Sequence, residues 1–182
     1  MRSYNTAVLT WVLFAITWFT PIQAQDNVQY YSIDQIQQVA KNQKKKILIE
    51  VYTKWSDGFR QLERSAMTQP QIVRYLNDNF LTVKFDAETR TDVNFRNKTY
   101  RYVSQSGVGF NELASELLQG QMAYPTFVFL DENMNLIQTI QYRSPDQFEM
   151  IITYFGGNNH KNMPWKKYEK NPIIAYDETD DA

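Results

Sequence analysis

Covalent, metal and phosphate chemistry each need particular side chains at particular spacings, and few of those sets are complete here. The 182 residues include no Cys at all, so there is no thiolate to attack a disulfide or to bind zinc. The single histidine, His160, stands beside Asn158 and Asn159, where a solvated loop side chain is expected; alone it cannot build a multi-histidine metal site. Ser56 carries an oxygen suited to covalent catalysis, but a serine hydroxyl stays protonated near neutral pH without an adjacent base, and its segment contains no His. Asp86, Glu88 and Asp131 supply carboxylates; Asp86 and Asp131 fall at strand ends, where acids are expected to be solvated or to cap turns, and nothing supplies a paired base. Gly107-Val108-Gly109 lacks the flanking strand, the Lys and the third glycine of a phosphate loop, which leaves a flexible turn. No metal or cofactor is therefore expected. The chain is instead rich in rings, with 12 Tyr, 11 Phe and 4 Trp, and rings build cores and adhesive surfaces.

The elements that position these residues begin after a distinct leader. Arg2, the uncharged apolar run Ala7 to Phe19, Pro21 and then Ile22-Gln23-Ala24 have the form of a signal peptide cleaved after Ala24. The run is shorter than the roughly 20 apolar residues that span a bilayer, so export without a membrane span is expected. The net charge is −1, too balanced for the basic face that nucleic acid requires. The length suits one domain, read as residues 25–165, followed by a polar, acidic tail over residues 166–182. Trp165 and Tyr168 are candidates to pack back on the domain, while Asp177, Glu178, Asp180 and Asp181 should be solvated.

Within the domain, Ser32 and Gln35 form a capping-box signature before Ile33, Ile36, Val39 and Ala40, which recur at helical spacing. Lys44-Lys45-Lys46 reads as the solvated end of that helix. Ile47 to Tyr52 reads as a strand buried on both faces. A helix through Arg60, Leu62 and Ala66 should break near Thr68, resume at Pro70 and lead into a strand from Phe80 to Asp86, a right-handed βαβ unit. Val93, Phe95, Tyr100 and Tyr102 flank Arg96-Asn97-Lys98 as an inserted hairpin near residues 92–103. A helix from Asn111 to Gln119 is stopped by Gly120. Phe127 to Leu130 and Leu136 to Tyr142 should be antiparallel neighbours, and Ser144-Pro145 opens a last helix that ends at Gly156-Gly157.

This order of elements, with Ile49 to Trp55, Asn77 to Glu88, Glu112 to Gly120 and Tyr124-Pro125-Thr126 leading into Phe127 to Asp131, resembles the thioredoxin superfamily. The likeness is greatest to exported thioredoxin-like proteins of Gram-negative bacteria that carry a W-C-x-x-C motif. It implies an α/β thioredoxin-like fold with a central mixed sheet flanked by helices, a cis Tyr124–Pro125 bond, and a place in the periplasm or cell envelope. The degenerate motif is then Trp55, Ser56, Asp57, Gly58, Phe59 and Arg60, with Ser56 and Phe59 where redox-active relatives have cysteines. Disulfide exchange needs both thiols, and neither a hydroxyl nor a ring replaces one. The Ser56 hydroxyl or the Asp57 carboxylate should cap the following helix.

The resemblance leaves three functions of different class. The first is a non-catalytic protein or peptide binder using a groove of Trp55, Phe59, Tyr124, Pro125 and Thr126. The second is an assembly subunit of an envelope complex that docks through the hairpin of Asp92 to Val103 or the tail. The third is a non-redox enzyme built on Ser56 or the acids above. The leader itself yields a prediction: exported protein should have Gln25 as its first residue, and an intact mass that retains Met1 would show that the segment is kept as an anchor.

Overall fold

Ile47 to Val51 is apolar but for Glu50, and the fold covers both sides of it. The computed structural model describes residues 27–105 and 107–173; the expected leader and the acids of the tail lie outside these residues. In chain order, the first half comprises β1 (Tyr30–Tyr31), α1 (Ile33–Asn42), β2 (Lys46–Tyr52), α2 (Asp57–Ser65), α3 (Pro70–Asn79) and β3 (Phe80–Asp86). Four short strands follow: β4 (Val93–Phe95), β5 (Lys98–Tyr100), β6 (Tyr102–Gln105) and β7 (Val108–Asn111). Then come α4 (Glu112–Leu117), β8 (Thr126–Leu130), β9 (Leu136–Gln141), α5 (Pro145–Gly156) and α6 (Trp165–Tyr168).

Five strands form one mixed sheet in the order β1-β3-β2-β8-β9. β2 lies parallel to β3 and antiparallel to β8, and β9 is antiparallel to β8. Alternate residues of the strands feed two cores. Ile47, Ile49, Val51, Val83 and Val128 pack with Ile33 and Ile36 of α1 and Leu113 and Leu117 of α4. Leu48, Phe127 and Phe129 face Leu62 of α2, Leu76 of α3 and Phe148, Ile151 and Phe155 of α5. Helix ends follow the sequence signals. Ser32 and Gln35 form the reciprocal capping box, and Ser144 Oγ accepts the amide of Gln147.

Four details differ from the sequence reading. Lys46 is not at a solvated helix end: it belongs to β2, is buried, and pairs with Glu132 at 3.5 Å, because the strand begins one residue earlier than the apolar run. Lys45 also has a fixed partner, donating to the Asn77 carbonyl at 2.8 Å. The insertion is two hairpins, β4–β5 and β6–β7, rather than one. Arg96 and Asn97, with φ of 49° and 61°, form the first turn in the left-handed conformation that matches strand twist. Gly107-Val108-Gly109 is no loose turn; Gly109 lies in β7, where an added Cβ would fall 1.6 Å from the Tyr102 hydroxyl. The fourth helix is shorter than read, because Asn111 caps it and Gln119 and Gly120 have φ of 53° and 78°. Packing also continues past residue 165. Tyr168 is buried, with its hydroxyl 2.9 Å from Thr153 Oγ1 and 2.8 Å from the Ile173 carbonyl oxygen, and Trp165 packs on Tyr154.

Phe129 is the ring on which this second core turns, stacked on Phe155 at 4.2 Å and edge-on to Phe80 at 5.8 Å. Phe129→Ala should cost about 3–5 kcal/mol of unfolding free energy in a urea titration, and a loss under about 1 kcal/mol would show that the core closes around the gap.

Candidate functional site

The first amides of α2 point toward the loop before β8, and one side chain serves both. Ser56 Oγ accepts the Phe59 amide at 3.3 Å while its O–H donates to the Tyr124 carbonyl oxygen at 3.1 Å. Of the two expected caps, it is the serine that fills the role. Asp57 is 94% exposed and forms an ion pair with Arg60, whose Nη1 donates to the Lys54 carbonyl at 2.9 Å. Gly58 has a steric reason: a Cβ there would sit 3.0 Å from Pro125 Cδ, so the first turn of α2 lies directly on the proline ring. The Tyr124–Pro125 bond is cis, and Pro125 and Thr126 are buried beneath Tyr124.

Above this seam two rings meet water. Trp55 is 62% exposed, yet its indole N–H donates to Glu88 Oε1 at 2.9 Å and its ring meets Tyr124 edge-on at 6.0 Å. The Tyr124 hydroxyl is pushed up to about 12 by burial and by the charges of Glu88 and Asp86. Trp55, Tyr124, Pro125 and Thr126 are thus brought together, whereas Phe59 leaves the group. It is buried, stacked on Tyr52 at 4.1 Å, with the Lys84 ammonium 4.9 Å from its ring centre. Its position one turn before Leu62, on the inward stripe of α2, explains the difference.

The feature that sequence reasoning missed lies behind Phe59. Glu50, in the middle of β2, is fully buried, and neither of its carboxylate oxygens has a hydrogen-bond partner. Burial pushes its carboxyl up to about 8; the Lys84 charge opposes the shift and Glu63 adds to it. Lys84 is itself ion-paired with Glu63 and lies 4.9 Å from the Tyr30 ring centre. A lone acid inside an otherwise apolar strand was the available signal. In this chain the raised value leaves the group protonated near neutrality.

The remaining acids do structural work. Asp86 accepts the Glu88 amide and pairs with Lys54 at 3.4 Å. Burial would raise the Asp131 carboxyl, but hydrogen bonds from Asn135 and Asn133 hold it below the usual range as the turn closes. His160 departs from its expected solvation: it is half-buried against Phe155 at 5.3 Å, and desolvation lowers its pKa. Among the described residues no group of His, Cys, Asp or Glu could hold a metal ion, and no helix is long and apolar enough to cross a membrane.

Residues 17–155 match the family model Thioredox_DsbH, described as a protein of unknown function, DUF255. The chain belongs to that family. It is a DsbH-family, thioredoxin-like protein in fold as well. A thioredoxin-fold protein from Helicobacter pylori is 14% identical, with a TM-score of 0.53 over 68% of this chain and 76% of that one. A thioredoxin from Thermus thermophilus is 16% identical, with a TM-score of 0.54 over 74% and 93%. A putative disulphide-isomerase from Bacteroides thetaiotaomicron is 18% identical, with a TM-score of 0.50 over 72% and 94%. At these identities the likeness is one of fold alone. No curated protein matches by sequence.

For this DsbH-family chain the buried acid makes stability depend on pH. From its ordinary 4.5 to about 8, native Glu50 keeps a proton that the unfolded chain has released, so stability is highest below that window and falls as pH rises through it. The slope is at most about 1.4 kcal/mol per pH unit. Urea unfolding at about pH 5 and about pH 8 should show wild type losing on the order of 2 kcal/mol more than Glu50→Gln. Equal losses in the two proteins would mean that Glu50 is ionised when folded.

Proposed function

We propose that the protein is a redox-inactive, thioredoxin-like binding module of the cell envelope that holds a polypeptide against Trp55 and Tyr124. One observation carries the reading: a tryptophan kept largely in water while its indole N–H is anchored to Glu88 and its ring set edge-on to Tyr124. A large ring held in a fixed orientation at the surface loses little entropy on binding and contributes much burial. Ser56 supports the same view from the other side. Its hydroxyl is committed to the Phe59 amide and the Tyr124 carbonyl, so the place of a nucleophile is filled by a structural bond. Membership of the DsbH family and the leader Met1 to Ala24 support an envelope location. The resemblance to W-C-x-x-C proteins supports a polypeptide as the partner, since strand-like recognition of an extended chain uses main-chain hydrogen bonds and side-chain pockets and needs no thiol.

The assembly reading has one observation of its own. Val108, at the tip of the β6–β7 hairpin, is 65% exposed in a segment that forms a two-stranded sheet apart from the central one. An interface there would place the contact within residues 102–111, which share Tyr102 and Val103 with the Asp92 to Val103 stretch expected from sequence and extend C-terminal to it.

Capture from the native envelope separates the two. Trp55→Ala and Tyr124→Ala should each weaken retention of the partner by on the order of 2 kcal/mol, about thirtyfold, with near-normal thermal unfolding. Full retention by both, with loss in Val108→Ser, would move the interface to the hairpin. Purified protein should also give no insulin reduction above a mock preparation in any thiol buffer, because no residue can form a mixed disulfide; measurable turnover would overturn the redox-inactive assignment.

A further inference from the structure

The geometry points to a second binding site: the outer edge of β9 accepts an extended, acidic segment of another protein in which bulky apolar and small polar side chains alternate. The site lies apart from the Trp55 and Tyr124 rings, although Thr126 beside them lines its smaller hollow, and it does not depend on that reading.

β9 is the last strand of the sheet, and among the described residues no strand pairs with its outer edge. The Tyr142 amide donates to the Pro125 carbonyl at 3.1 Å, which fixes the alternation along the antiparallel ladder. With Ile140 opposite Phe127 and Thr139 opposite Val128, the main-chain groups of Ile140 face β8 while those of Thr139 and Gln141 face outward. Natural sheets guard such an edge with charge, proline or shortness. The other edge, β1, is two residues long. β9 has six residues, Leu136-Ile137-Gln138-Thr139-Ile140-Gln141, without a charge or a proline.

Both flanks of the edge are hollow. On the α5 and α6 side lies a cavity of about 710 Å³ walled by Ile137, Ile140, Tyr154, Phe155 and Trp165. On the opposite side, between β9 and the end of α4, a cavity of about 220 Å³ is walled by Gln119, Gln121, Thr139 and Gln141. A strand added to an edge sends successive side chains to opposite faces, so these two spaces would receive alternate residues. The larger takes apolar rings and the smaller takes hydroxyls or amides. Charge selects the partner further. Arg143 and Lys166 line the larger cavity, both exposed and neither ion-paired among the described residues, against the single acid Glu169. An acidic flanking residue on the incoming strand meets them.

The probe is a fluorescein-labelled octapeptide that alternates Phe and Thr between Asp ends, added to the full mature chain. Saturable binding is expected, with exchange of the Thr139 and Gln141 amides slowed by about tenfold or more. Thr139→Pro removes an outward donor without breaking a bond to β8, and should abolish binding. Arg143→Glu with Lys166→Glu changes only exposed side chains and should weaken binding by about tenfold at low salt, so a folding failure of the proline variant leaves the test intact. Absence of binding by wild type, or binding that leaves the Thr139 and Gln141 amides fast, overturns the proposal. So does protection of those amides that appears with protein concentration alone, which would assign the edge to a second copy of the chain. Binding seen only after residues 174–182 are removed would assign it to the chain's own tail and likewise overturn it.

Discussion

The first turn of α2 must rest on the proline loop, and most of what the molecule can present to a partner follows from that contact. Gly58 allows it by having no side chain to strike Pro125, and Ser56 fastens it by accepting a helix amide while donating to the carbonyl before the proline. The bond satisfies two groups that would otherwise be orphaned near the surface, a free helix N–H and a loop C=O. Trp55, one residue earlier, is thereby held with its ring edge-on to Tyr124, its indole N–H on Glu88 and most of its surface in solvent. The start of α2 and the cis-proline loop are thus joined by packing and hydrogen bonding alone, in a chain with no cysteine.

Behind the seam, β2 carries the constraint inward. Its residues feed both cores in alternation, so the strand cannot shift register without exposing one of them. Glu50 sits in that strand with no hydrogen-bond partner for either oxygen, and tolerates burial by keeping its proton. Lys84 does not neutralise it directly, because its ammonium is already paired with Glu63 among the rings of Tyr30 and Phe59. A buried acid beside a committed base is a stability cost that a pure packing element would not carry, and here it is offset by the apolar burial around it.

What was legible in the sequence was what local patterns specify. The capping box at Ser32, the N-cap at Ser144, the strand Phe80–Asp86 and the break before Pro70 all depend on neighbours a few residues away, and the structure has each of them. The superfamily and the mixed sheet were also readable, since they follow from element order and the Tyr-Pro-Thr entry to β8. The site was half legible. Trp55 and Tyr124 meet as expected, but Phe59 was assigned to the rim because motif position says nothing of which helix face a residue takes. Lys46 and the second hairpin were misjudged for a related reason. A lysine before an apolar run and a Gly-Val-Gly stretch acquire their roles from Glu132 and Tyr102, partners that are fixed only once the chain has folded.

The insertion also determines which surfaces stay open. Its first hairpin is tied down on two sides, through Gln37 of α1 to the main chain of Asn94 and Arg96, and through Tyr100 and Lys98 to Glu116 of α4. Those bonds, with Phe95 and Tyr100 buried beneath them, cover the sheet face that α1 and the short α4 would leave thin. The hairpin is therefore largely a lid on the first core, and among the described residues of the insertion Val108 is the large apolar side chain that projects into solvent. By contrast, the rim at Trp55 and Tyr124 and the outer edge of β9 are left uncovered by the same packing. Each presents groups that fold geometry alone supplies, a ring at one and main-chain donors and acceptors at the other. Neither depends on a reactive atom, so both surfaces stand in a chain with no cysteine, and fold and chemistry are separable in it.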